Sequence, residues 1–309
     1  DGLSLHLLPR LHSKSLAQVA GWQGRSLCSQ NAHTQKVLGR CAQWGTSLPA
    51  RDVRQTFWSG DGEESAMKAH RIYALVTRYM YLYRRSLPRM MEIFYWPFLD
   101  LVIWGFITVY LMKFQEQIPG VVTFFLGALI LWDILFRAQQ GVTISFLEEI
   151  WARNLMNLFA SPLKPSEFLA ATMVMSILKV MAVSVVMVVC AGLFYSYNIF
   201  VLGLWLIPFV LNLVITGWII GVLTTALIMR FGQEAEVLAW SMVFLFQPIS
   251  CVFYPMDVLP GWLQVIAWAN PAAHVFEGMR AVLNTSSEPI THLGWATGLN
   301  LVLLGIVIA

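Results

Sequence analysis

Three ionisable residues, Asp100, Asp133 and Lys179, each fall inside a long apolar run. An isolated charge at the centre of a bilayer costs at least about 2.5 kcal/mol, so such groups pair, line a path or relay protons. Asp133 and Lys179 fall on neighbouring predicted spans at similar depth and can form a structural pair. The alternative has them, with Asp100, lining a transport path or carrying protons. Other chemistry is thin. No HExxH and no assignable Ser-His-Asp set occurs, and the solitary His274 and His292 read as surface residues rather than ligands. Cys28, Cys41, Cys190 and Cys251 show neither metal-ligand spacing nor a disulfide framework, which predicts free thiols. No G-x-x-x-x-G-K-[ST] is present, so the chain has no phosphate-cradling loop of that kind, and neither a cofactor nor a metal is expected on it.

The background to those charges is 58% hydrophobic and 12% charged, with mean hydropathy +0.65. That composition predicts an all-α, polytopic membrane protein. The net charge of +3 is small and dispersed, which argues against nucleic acid as a partner and makes Lys and Arg topology signals. Residues 1–66 are rich in Ser, Gln, Arg and Gly and lack both a helical period and the apolar core of a signal peptide. They are expected to be a disordered tail or sequence upstream of a start at Met67, with a regulatory cytoplasmic extension as the alternative. At the other end the last apolar run reaches Ala309 with no charged flank, so a truncated C-terminus is expected.

From Lys68 a helical pattern begins. Ile72, Leu75, Val76, Tyr79 and Leu82 share one side, with Arg71, Arg78 and Arg85 around them, which predicts an interfacial amphipathic helix over 67–90, or else the basic flank of the first span. About six spans follow, near 91–112, 119–140, 167–194, 201–229, 236–254 and 292 to the end, within a membrane domain over 91–309. Arg84, Arg85, Arg89, Arg153, Lys164 and Arg230 collect on one side, which places both ends in the cytoplasm. Gly217 and Gly221 form a GxxxG for close helix packing, either within the chain or across a dimer. Gln247-Pro248 predicts a kink in the fifth span.

Between the fifth and sixth spans lies FYPMDVLPGWLQVIAWANPAAHVFEGMR. Pro255 and Pro260 forbid a continuous helix, Gly261 and Trp262 begin a short apolar segment, and Asn270-Pro271 stops it. Neither this piece nor the next, which ends in Glu277 and Arg280, is long enough to span. Lipid tolerates no unpaired backbone. The stretch is therefore predicted as an outer re-entrant helical hairpin capping a pathway. On the opposite side, FLEEIWARNLMNLFASPLKPSEF predicts an amphipathic helix over 147–160. Leu147, Ile150, Trp151, Leu155, Leu158 and Phe159 form its apolar stripe, Glu148, Glu149 and Arg153 its polar positions, and Pro162 and Pro165 its end. It either packs on its own bundle or offers Trp151, Leu155 and Phe159 to a cytoplasmic partner.

The glutamate-led helix ending in Ser-Pro-Leu, followed by Phe-Tyr-Pro, Leu-Pro-Gly-Trp, Asn-Pro and Glu-Gly-Met-Arg, resembles the permease subunit of ABC type-2 exporters over 68–309. The resemblance implies a six-span domain that dimerises with a second permease copy and is driven by a separate ATPase seated on helix 147–160. ATP and Mg would be used by that partner, and the location implied is a plasma membrane, the inner membrane in a Gram-negative bacterium. Many relatives carry Arg-Gly-Thr in the coupling helix where this chain has Ala152-Arg153-Asn154, which leaves the subfamily and cargo open. One rival is a proton- or ion-coupled secondary transporter using Asp100, Asp133 and Lys179, which would carry inverted-repeat similarity between its halves. Another, a membrane-embedded enzyme, lacks an acid, base, nucleophile or metal constellation.

Overall fold

Extended backbone at Lys68 and at Ser86 brackets the first helix, α1, Ala69–Arg85. The amphipathic helix expected over 67–90 is thus two elements, because Ser86 breaks it and α2 starts at Leu87, running to Met112 past Pro97. Pro88 sits in the first turn of α2, where a missing N–H leaves no helical bond unmade. The computed structural model describes residues 68–112, 121–284 and 289–308. Residues 1–66, Lys113 and Ala309 lie outside them, as do the side chains of Phe159 and several helix-end residues.

The remaining helices are α3, Val121–Trp151; α4, Leu155–Ala160; α5, Pro165–Tyr195; α6, Leu206–Phe231; α7, Leu238–Ile249; α8, Gly261–Trp268; α9, Pro271–Leu283; and α10, Pro289–Ile308, with short 3-10 turns between some of them. There is no strand among the described residues. Four helices there are long and apolar enough to cross a membrane: Leu87–Tyr110, Pro165–Tyr195, Ile199–Phe231 and Pro289–Val307. The other two expected spans fall on α3 and α7. At 31 residues α3 is about 46 Å long, whereas α7 has only 12 residues with Pro248 in its last turn.

The fold is built around α3, which packs against both α5 and α6, while α2 lies on α3 and α5 and α10 lies on α6 and α9. Small residues allow this. A Cβ added to Gly217 would meet Ala138 Cβ at 2.6 Å and the Leu135 carbonyl oxygen at 2.7 Å, and one on Gly221 would meet the Gln139 carbonyl oxygen at 3.0 Å. The GxxxG is therefore spent on α3–α6 contact inside the chain rather than on a dimer face. Gly141 faces α5 in the same way, where an added Cβ would meet the Ser176 Cα at 2.6 Å.

Buried polar side chains join the helices where lipid would leave them unsatisfied. Ser176 donates to the Ala138 carbonyl at 3.0 Å and accepts from the Trp218 indole at 3.1 Å. Between α6 and α10, Thr216 donates to Asn300 Oδ1 at 2.9 Å, and Asn300 donates to Asn212 Oδ1 at 3.0 Å. Gly217→Leu should force α3 and α6 apart, cost about 1–3 kcal/mol and lower Tm in detergent. Gly298→Ala, whose new Cβ meets nothing within 4 Å, should leave Tm unchanged or raised; equal Tm values for the two variants would refute the packing role.

Candidate functional site

At the Trp151 end of α3 the chain turns sharply, and the turn closes its own hydrogen bonds. Arg153 takes a left-handed conformation with φ 51°. Its N–H donates to the Ile150 carbonyl at 2.9 Å and the Asn154 N–H to the Glu149 carbonyl at 2.9 Å, which is the Schellman pattern of a helix end. Then α4 adds six residues, and Ser161 closes it by donating its hydroxyl to the Leu158 carbonyl at 2.6 Å. The single helix expected over 147–160 is therefore an elbow: the last turn of α3, a left-handed residue, and a separate short helix.

The two glutamates expected on that helix's polar face are buried, Glu148 at 7% and Glu149 at 1% exposure. Glu149 is the hub. Arg78 Nη1 lies 2.8 Å from its Oε1 and Arg78 Nη2 donates to Oε2 at 3.0 Å. Tyr79 donates its hydroxyl at 2.9 Å and Asn154 its amide at 2.7 Å. Glu148 accepts from the Tyr83 hydroxyl at 3.1 Å, with Arg89 Nη1 at 3.8 Å. At the start of α5, Glu167 accepts from the backbone N–H of Lys68 at 2.9 Å and of Lys164 at 3.1 Å, and from Arg71 at 3.2 Å. Beneath these pairs Leu75 and Tyr79 of α1 pack with Leu158, Ala171 and Met175. The amphipathic helix α1 thus clamps the elbow to α5, with Arg71 and Arg78 on protein carboxylates. Arg71, Arg78 and Tyr79 had no signal in local spacing, because their partners are distant in sequence, whereas Glu167 stands three residues after Lys164, the spacing of a helix capping box.

The outward side of the elbow is small. Trp151 is 47% exposed and Met156 81%, and Ala152, Arg153, Asn157 and Ala160 are exposed beside them. The Trp151 indole donates to Glu236 Oε2 at 3.1 Å, which ties the elbow to the turn before α7. Ile150 and Leu155 pack against a cluster of Phe146, Leu147, Ile228 and Ala239 instead of facing outward. Met156, missed in the apolar stripe because it falls off the period of 147–160, is 81% exposed once the helix breaks, more than any other described large apolar side chain of the elbow.

The intramembrane charges are arranged differently from expectation. Asp133 pairs with Arg137 of its own helix, at 3.3 Å and one turn on; the four-residue spacing is the signal that could have found it. Lys179 instead donates to the Tyr83 hydroxyl at 2.6 Å and lies 4.3 Å from the centre of its ring. Asp100 is exposed on α2.

At the opposite end, the proline-broken stretch forms two short helices, α8 and α9, meeting at Asn270-Pro271. Asn270 caps α9 by accepting from the Ala272 N–H at 3.1 Å and donates to Ser250 at 3.0 Å. Glu277 accepts from the Met256 N–H at 2.8 Å and pairs with Arg280 at 2.9 Å. The Arg280 guanidinium in turn donates to the carbonyls of Cys251, of Val252 at 3.3 Å and of Tyr254 at 2.6 Å. Cys251 itself is left-handed, with φ 52°. Pro255 and Pro260 flank the following 3-10 turn and Trp262 is 69% exposed. His274, expected at the surface, is fully buried: one ring nitrogen lies 2.9 Å from the Trp268 carbonyl oxygen, and Trp295 stacks on the ring. Its position on the inward face of α9 explains this.

Two arrangements therefore stand out, a clamped elbow and a hairpin held by one Glu-Arg pair, and neither is a catalytic constellation; no cluster of three metal-ligating side chains occurs among the described residues. A family model described as ABC-2 type transporter matches residues 71–284, which takes in the elbow and both short helices. No curated protein matches the chain.

The clamp has a pH signature. Glu149 lies beyond the apolar part of α3. Burial alone would raise its carboxyl, but hydrogen bonds from Arg78, Asn154 and Tyr79 outweigh it and hold the group below its ordinary 4.5. A depressed carboxyl stabilises the fold above its unfolded value and ceases to as pH falls through the folded one. Tm in detergent should drop as pH goes below about 4.5. Glu149→Gln should lower the neutral-pH Tm by removing charge-assisted bonds, on the order of 2 kcal/mol, and make the acid drop shallower. An unchanged acid profile would exclude this carboxylate. At the hairpin, Arg280→Lys cannot fork across three carbonyls and should lower Tm, whereas wild-type stability would show that the fork is dispensable.

Proposed function

This chain belongs to the ABC-2 type transporter family, and on that premise we propose that it is the permease subunit of an ATP-driven exporter, moved by a separate ATPase docked on the α3–α4 elbow. The family match supports a membrane-embedded permease that works with an ABC ATPase. The observation that favours the elbow as the docking point is its construction: buried anchors on one side, with Trp151 and Met156 exposed on the other. Aromatic and methionine side chains on a rigid support are what a protein interface uses as anchors.

In this reading the elbow faces the cytoplasm of a plasma membrane, with the N-terminus on the same side, and two permease copies form the path. ATP and Mg act in the partner. ATP binding must favour one permease conformation over another through contacts that differ between the two. A push on Trp151 and Met156 would be carried by the Glu149 hub into α1 and by Glu167 into α5, so three helices would shift as one body. The hairpin at the far end, held by Glu277 and Arg280, would then cap or open the path.

A proton-coupled mechanism finds less support, since Asp133 is tied to Arg137. In a reconstituted permease–ATPase complex, Trp151→Ala combined with Met156→Ala should weaken docking by roughly 30-fold or more, as loss of an anchor worth about 2 kcal/mol does, and uncouple hydrolysis from export while insertion stays normal. Normal coupling in that variant would remove the elbow from this role. Transport by the permease alone under a proton gradient would refute the ATP-driven reading itself.

A further inference from the structure

Along one stripe of α3, Arg137, Gln140, Ile144, Glu148 and Trp151 line a cleft of about 100 Å³, joined by Arg89 of α2 and Lys179 of α5. The cleft adjoins a wider apolar groove of about 600 Å³ between α1, α2 and α5, and the two share Tyr83, Ile93 and Lys179.

The polar part is incompletely satisfied. Arg137 and Gln140 are 9% and 8% exposed, yet Arg137 Nη2 and Gln140 Nε2 have no hydrogen-bond partner among the described residues, and neither has the acceptor Glu148 Oε2. Buried polar atoms in native proteins are nearly always paired, and each exception asks for an unseen partner. Two donors and one acceptor in one cleft ask for a ligand with acceptor oxygens and a hydroxyl. Arg89, Arg137 and Lys179 line the cleft, and Glu148 together with Asp133, the partner of Arg137, offsets part of their charge. That suits the monoanion of a phosphodiester better than a free phosphate dianion. The groove beside it is lined by Val76, Met80, Met90, Phe94, Leu178 and Ala182, with Arg84 at hand, a surface suited to hydrocarbon chains.

We propose that cleft and groove together bind an acidic phospholipid. Its phosphodiester accepts from Arg137 and Gln140, a headgroup hydroxyl donates to Glu148, and its acyl chains lie in the groove between α1, α2 and α5. The lipid would fill the gap under α1 and so reinforce the clamp on the elbow. This goes beyond the coupling role and holds whether or not an ATPase docks there.

The test uses the full chain in mild detergent without any ATPase, by native mass spectrometry and thermal shift with dioleoyl phosphatidylglycerol, dioleoyl phosphatidylcholine or inorganic phosphate. Phosphatidylglycerol should co-purify and, at a hundredfold excess over Kd, raise Tm by about 5 °C or more; phosphatidylcholine and phosphate should not. Gln140→Leu and Met80→Trp touch the headgroup and chain ends separately and leave the Asp133–Arg137 pair intact. Each should weaken phosphatidylglycerol binding about tenfold or more, the effect of losing one well-placed contact. Equal shifts with phosphatidylcholine would overturn the anion selectivity, and an equal shift with phosphate would mark a free-anion site. No shift with any of them would mean that water alone fills the cleft, and wild-type binding in both variants would place the lipid elsewhere and overturn this site.

Discussion

A backbone group buried away from water has no solvent to bond, so where the described helices break inside the protein the chain must bring its own partners. The structure meets that constraint in two ways. At the elbow, Arg153 turns left-handed and the carbonyls of Ile150 and Glu149 are closed by the next N–H groups in line. At the hairpin no local pattern suffices, because Pro255 and Pro260 remove donors, and one long-range cation does the work: the Arg280 guanidinium collects three carbonyls from 251–254. Arginine can do this because its planar fork presents several donors at fixed angles. Glu277 keeps that cation paired and also takes the Met256 N–H.

The same constraint explains why the charged groups at the elbow point inward. A carboxylate is costly to bury unless paired and hydrogen-bonded, and Glu149 is both, through Arg78, Tyr79 and Asn154. Its partners come from two elements, so the hub fixes the angle between α1 and the end of α3. Glu167 does the same for α1 and the start of α5. What the elbow leaves outside is a compact knob on a braced mount, able to transmit displacement rather than absorb it by bending.

Much of this was legible in residue patterns, and the limits were physical. The helix breakers showed the hairpin: Pro255, Pro260 and Asn270-Pro271 each act through local backbone geometry, which sequence carries directly. The elbow was misread as one helix because Arg153 is not a residue type that announces a left-handed turn; a glycine or asparagine would have. Glu148 and Glu149 read as polar positions of a surface helix because their cations, Arg89 on α2 and Arg78 on α1, lie about 60 and 70 residues earlier in a basic stretch read as lipid-facing. Asp133 is the opposite case. The sequence reading pairs it with Lys179 on a neighbouring span, whereas the structure pairs it with Arg137, one turn on along the same helix. Gly217 and Gly221 were recognised as a close-packing pair, and only the structure could say that the surface they meet is α3.

That last assignment bears on how the molecule moves. With α6 pressed onto α3 through glycine and α5 pressed onto it through Gly141 and Ser176, the three helices interlock where a single added methyl group would already collide, which resists sliding. By contrast α7 is short, ends at Pro248 and is tied to the elbow through the Trp151–Glu236 bond at 3.1 Å. Motion imposed at the elbow therefore meets a stiff core on one side and a short, proline-ended helix on the other. The less constrained element at the elbow is therefore α7, which leads on in sequence to the short helices α8 and α9, whereas α5 and α6 stay keyed to α3.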